Sequence, residues 1–165
     1  MPQNFAQYFR TLLILFSALL FGQVAVVAIF YFIIKPPVNE QVLPYDTVVQ
    51  VLPVVLLLLA GLAFFFNRKK LEAARAQSDI KGKLADYRAA SILKWGPVES
   101  GTLISAVLFF LTGKILFVYY AVAMIALFAT QFPSRQRLIS ELDLSVNDQM
   151  ILDDPNAEVA ETARR

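Results

Sequence analysis

The chain has no cysteine and no histidine, a single tryptophan, and charge on only 17% of its 165 residues. Each shortage excludes a chemistry. Without Cys there is no disulfide framework, thiolate zinc site or thiol nucleophile. Without His the commonest metal ligand and general base is missing, and Ser-His-Asp catalysis goes with it. A soluble domain carries about 25% charged and about 45–50% apolar residues. Here the apolar share is 58%, with 14 Phe, and that excess is gathered in blocks, which excludes an ordinary water-soluble globule. No catalytic residue, metal or cofactor is implied, and the chain reads as a non-enzyme.

What is present is a set of charge-free runs. Between Arg10 and Lys35 lie 24 uncharged residues, between Asp46 and Arg68 there are 21, and between Lys114 and Arg135 there are 20. A helix crosses about 30 Å of hydrocarbon in about 20 residues, so all three are long enough. A further stretch, Trp95 to Gly113, has 19 residues and contains Glu99. The predicted fold class is all-α, a four-helix transmembrane bundle with spans at about 11–34, 47–67, 96–113 and 115–132. A cytoplasmic helical hairpin over 68–95 separates spans two and three, and a partly disordered cytoplasmic tail occupies 135–165. The first run is too long for the apolar region of a signal peptide and no small-x-small site follows it, so it is read as a retained span.

Orientation follows from Lys and Arg in the short loops. Asn67 to Trp95 holds eight bases and three acids, whereas Lys35 to Asp46 holds one base and two acids. This places both termini and the basic segment in the cytoplasm, with the chain in the inner (cytoplasmic) membrane of a bacterium. Its first partner is the lipid bilayer. Glu72, Asp79 and Asp86 interrupt the bases, which argues against nucleic acid.

Local signals fill in the connections. Pro36 and Pro37 end the first helix near Ile34, and Asp46 or Thr47 can cap the second. Ala73, Ala76, Ile80, Leu84 and Tyr87 recur at helical spacing with a turn at Gln77-Ser78-Asp79, where Ser78 or Asp79 caps the returning helix. A projecting hairpin is favoured over a helix lying flat on anionic lipid, because the apolar residues are mostly Ala. Thr112-Gly113-Lys114 joins spans three and four so tightly that they must be antiparallel neighbours. In the tail, Leu138, Ile139 and Leu142 predict a short helix. Ser145 with Asp148 predicts a capping box opening a helix through Leu152. Asp153-Asp154-Pro155 stops that helix, and the remainder is expected to be disordered.

A few polar residues inside the spans need a reason. Glu99 has two readings. In Gly96-Pro97-Val98-Glu99 it can be the third residue of a new helix, near the positive end of the dipole. Alternatively, it joins a buried polar network or handles protons or ions. Pro97 either starts a helix or kinks a longer one, and both place a backbone irregularity beside Glu99. Gln23 and Gln50 are expected to bridge helices, and Lys94 and Arg88 are the bases that would accompany Glu99 and Gln23 in conduction. Ser100, Thr102, Ser105, Thr112 and Thr130 can satisfy themselves on the preceding turn. Ala18 with Gly22, and Gly101 with Ser105, are small-residue pairs fit for helix packing.

Tyr87-Arg88-Ala89-Ala90, Glu99, Leu108 to Gly113 and Leu20-Phe21-Gly22-Gln23 together resemble a set of small four-span bacterial membrane proteins with no assigned activity. The resemblance covers most of the chain and implies no reaction. A carboxylate in an apolar helix is also similar to the proteolipid subunits of rotary ATPases, but their run of alternating glycines is missing from the first span. The expected function is structural: an interaction or accessory subunit that packs through its helices against a second copy or another membrane protein. The alternative is an oligomeric proton or ion channel or transporter using Glu99.

Overall fold

The computed structural model describes residues 2–33, 45–155 and 157–161. Six α-helices dominate: α1 (Phe5–Ala28), α2 (Tyr45–Arg75), α3 (Ile80–Thr112), α4 (Leu116–Ala129), α5 (Arg135–Leu142) and α6 (Val146–Asp153). A π-helical segment, Ile29–Ile33, prolongs α1. Two-residue strands β1 (Pro2–Gln3) and β2 (Ala160–Glu161) pair antiparallel.

Three helices are long and apolar enough to cross a membrane: Phe5–Phe32, Tyr45–Arg75 and Ile80–Thr112. The fourth apolar helix, α4, has 14 residues. The outer surface of these helices is apolar. Along α2, Leu57, Leu58 and Phe65 are 73%, 61% and 52% exposed, and similar residues flank them. Water tolerates contiguous apolar patches of only a few hundred Å². Hydrocarbon tolerates them without cost, so this chain is compatible with a membrane-embedded protein.

Helix ends follow local chemistry, with two departures from the sequence reading. Helix α2 already includes Asp46 in its first turn, so neither Asp46 nor Thr47 is its cap. The position before Tyr45 and the Pro36–Pro37 segment lie outside the described residues. At the start of α3, the Asp79 carboxylate accepts from Gly82 N–H at 3.3 Å, the cap that the sequence offered. Helix α3 then runs unbroken through Pro97 for 33 residues, so Gly96-Pro97-Glu99 is not a helix start. A proline in a helix interior removes one backbone bond, at about 3 kcal/mol. Burial of Trp95 and Val98, at 1% and 0% exposure, anchors the helix on either side and offsets that loss. At its far end Gly113 takes φ 67° and its N–H closes on Phe109 C=O at 2.8 Å, the left-handed turn that lets α4 reverse within a few residues.

Two compact units are present. The first comprises Met1–Ser17, Phe65–Leu93 and Pro133–Arg165. Its core includes Phe16, Leu84, Tyr87, Leu138, Leu142 and Val159, none more than 2% exposed. The buried Tyr8 hydroxyl donates to Leu84 C=O at 2.7 Å, Arg75 Nε donates to Glu141 C=O at 2.8 Å, and Lys83 pairs with Asp148 at 2.8 Å. Helix α5 is capped by Ser134, and Ser145 and Asp148 form both bonds of the expected capping box. After Pro155 the structure differs from the expected disorder. Val159 is fully buried, its N–H donates to Gln3 C=O at 3.0 Å, and Ala160 pairs with Gln3. The ordering contact comes from the other end of the chain, which composition cannot register. Asn156 and residues 162–165 lie outside the described residues.

The second unit comprises Ala18–Phe64 and Lys94–Phe132. Its contacts fix helix directions. Gln23 meets Thr102 and Phe30 meets Phe110, so α1 and α3 run parallel. Trp95 meets Phe128 while Gly101 faces Met124, so α3 and α4 run antiparallel. Tyr45 lies against Phe117, and Leu56 and Ala60 share a groove with Met124 and Leu127, so α2 and α4 run parallel.

Candidate functional site

Polar atoms buried among apolar helices are the chemistry of the second unit. Helix α3 presents Glu99, Thr102 and Ser105 at three-residue spacing, which stacks them on neighbouring turns of one side. Ser105 turns inward on its own helix, donating to Gly101 C=O at 2.8 Å. Thr102 instead donates across to Gln23 Oε1 at 2.8 Å. Both partners are enclosed, at 0% and 1% exposure. The Gln23 Nε2, equally buried, has no hydrogen-bond partner among the described residues. An amide offers two donors and two acceptor sites, so one bond leaves most of its capacity unused. Rotating the amide by 180° would merely exchange which atom is stranded. Gln131 is similar, with Nε2 on Leu127 C=O at 3.4 Å and Oε1 unpartnered.

Glu99 is half-buried and makes no hydrogen bond or ion pair with the described residues. It sits two residues after Pro97, where the helix lacks a donor for Leu93 C=O. Lys94, five residues earlier, is 3% exposed and is not without a partner. Arg88 belongs to the first unit, where it lines a cavity with Tyr8 and Lys81. Gln50 is exposed on α2 and forms no hydrogen bond with the described residues. Among the described residues no group of three acidic side chains is placed to hold a metal ion.

The small residues divide by environment. Gly101 and Ser105 are buried, and a Cβ on Gly101 would stand 2.5 Å from Met124 Cε and 3.1 Å from Leu56 Cδ2. Ala18 and Gly22 face outward, and nothing lies within 4 Å of where a Gly22 Cβ would be. Within the chain, close helix approach therefore uses Gly101.

Thr102 is the residue the sequence reading misplaced. Ser100, Ser105, Thr112 and Thr130 all bond the backbone of the preceding turn, as their type predicts. Thr102 does not, because Gln23 stands opposite it. The pairing becomes legible only once α1 and α3 are known to be parallel neighbours. Tyr8 was also missed, since an aromatic at the edge of an apolar run carries no sign of its carbonyl partner. Comparison with protein-family models, curated proteins and solved structures returns no match for this chain.

Proposed function

We propose that this is a four-span protein of a bacterial inner membrane that works by helix packing, against a second copy or another membrane protein, and has no catalysis of its own. Support for four crossings is topological. Pro2–Gln3 pairs with Ala160–Glu161, so both segments lie on one side of any membrane, which requires an even number of crossings. Three long helices alone would separate them. Helix α4 runs parallel to α2 and antiparallel to α3, the direction a fourth crossing needs. Its 14 residues rise about 21 Å, and the flanking uncharged residues can extend the apolar path. Eight bases between Asn67 and Trp95 favour a cytoplasmic hairpin and cytoplasmic ends. The resemblance to small four-span bacterial proteins agrees with this reading.

One observation carries the packing role. Ala18 and Gly22 are exposed on α1 with open space over Gly22, whereas Gln23, the next residue, is already engaged inside. Small residues four apart let a second helix approach closely, the main source of association in lipid. A photo-crosslinking residue at Ala18, in native membranes, should capture one discrete product, while the same residue at Leu57 should not. Absence of any product at Ala18, together with a monomeric mass in mild detergent, would refute the packing role.

A second reading is favoured by a separate observation, Glu99 beside the backbone gap at Pro97 with no partner among the described residues. Glu99, Thr102 and Gln23 would then form part of an oligomeric proton or ion path, with Lys94 near its start. Proteoliposomes would show a flux that Glu99→Gln abolishes in a folded protein, and unchanged flux in that variant eliminates this carboxylate.

A further inference from the structure

We infer that the first unit carries a binding site for a phosphate group, built by Arg88 and Lys81 of α3 beside Tyr8 of α1. These residues, with Gly82, Ala85 and Ala160, line a cavity of about 410 Å³. Among the described residues lining it, the two ionisable side chains besides the tyrosine are both cationic. Arg88 is half-buried and makes no hydrogen bond or ion pair with the described residues. That is an unusual condition for a guanidinium, which has five donors and no acceptor. Its planar fork matches two phosphate oxygens.

Three acids of this unit are already engaged by other groups. Asp148 is held by Lys83 at 2.8 Å, Asp86 accepts from Gln77 at 3.1 Å, and Asp79 caps α3. Among the described residues, Glu158 is the acid that pairs with a cation of the cavity, at 3.8 Å from Lys81 with both side chains about half-exposed. A pair of that length and exposure is weak and opens readily to a stronger anion. The Tyr8 hydroxyl already donates to Leu84 C=O, so it shapes the wall and leaves the charge work to the two bases. Ala160 also lines the cavity and is held by the pairing of β2 with β1.

Two sources could supply the phosphate, a lipid diester or a free anion. The neighbourhood points to lipid. Ile92, one helical turn or about 6 Å beyond Arg88, is an exposed apolar residue at 46%, and Leu93 follows at 40%. Arg88 therefore stands where an apolar surface gives way to a basic one, the level of a headgroup at the cytoplasmic face. Only this choice of source rests on α3 entering the membrane. The site itself does not depend on the packing role.

The test uses the full chain in nonionic detergent, titrated with phosphatidylglycerol or phosphatidylcholine and read by native mass spectrometry. A parallel titration with inorganic phosphate is followed by thermal shift. The expected result is one phosphatidylglycerol per chain, retained at least tenfold more weakly by Arg88→Gln and severalfold more weakly by Lys81→Gln. Arg88→Lys should recover part of the loss, and Arg68→Gln, outside the cavity, should have no effect. Saturable stabilisation by inorganic phosphate with the same Arg88 dependence, without lipid retention, supports the site and assigns it to a soluble anion. Retention unchanged in a monodisperse, helical Arg88→Gln, or no binding of either probe, overturns the inference.

Discussion

Thr102→Val should destabilise the chain more than Gln23→Met, although both remove the same 2.8 Å hydrogen bond. The difference lies in what is left behind. Without the Thr102 hydroxyl, the Gln23 carboxamide, 1% exposed and already lacking a partner for Nε2, is stranded in an apolar interior. A buried polar group left unsatisfied costs about 1–3 kcal/mol, whereas replacing it with an apolar side chain of similar shape is nearly neutral. The bond itself accounts for about 0.6 kcal/mol, at most about 1.7, in a membrane interior. Gln23→Met removes the stranded amide along with the bond, and frees the Thr102 hydroxyl to turn back to Val98 C=O as its neighbours do. We expect Thr102→Val to cost about 1–3 kcal/mol, Gln23→Met to lie within about 0.5 kcal/mol of the parent, and the double variant to match Gln23→Met. Unfolding in mixed micelles at rising dodecyl sulfate fraction, followed by far-UV circular dichroism, gives these differences. The fluorescence of Trp95, the single tryptophan and 1% exposed, gives them independently. Gln23→Met costing as much as Thr102→Val would show that the amide is satisfied and would refute the reasoning.

Three further outcomes test other parts of the structure. The Asp148 carboxyl is held below the usual carboxylate range, first by the hydrogen bond from Lys83, while burial opposes the shift and Ser145 adds to it. A lowered folded value stabilises above the unfolded value of about 3.9 and is lost as pH falls through the folded one. Stability should therefore drop as pH falls below about 4, and urea or detergent unfolding of Lys83→Met should lack most of that acid-dependent part. Gly101→Leu should cost about 1–3 kcal/mol by overpacking Met124 and Leu56, whereas Gly22→Ala should leave chain stability unchanged or higher and weaken only association, separable by unfolding and by sedimentation. Because the chain has no Cys, single thiols report topology cleanly. Ser78→Cys and Asn147→Cys should resist an impermeant maleimide in intact spheroplasts while Lys114→Cys is labelled, and the reverse pattern would overturn the proposed orientation.

How much of this was legible beforehand depended on the range of the interaction. Period and capping are local, so the helices of the tail, the Ser145–Asp148 box, the Asp79 cap and the reversal at Gly113 could all be read from neighbouring residues. The partner of a polar side chain is not local. Gln23 announced that it needed a bond in lipid, but Gln50 announced the same and is exposed, because only packing decides which face of a helix turns inward. Pro97 shows the limit from the other side. Its local preference is a helix start, and Trp95 and Val98, buried on either side, carry the helix through it. The number of crossings has the same character. The charge-free runs suggested four spans, whereas three helices of the structure are long and apolar enough to cross a membrane and α4 has 14 residues. The pairing of Gln3 with Ala160 is the non-local contact on which the proposal of an even number of crossings rests. A short apolar helix lying parallel to α2 is then what the proposed fourth crossing would require.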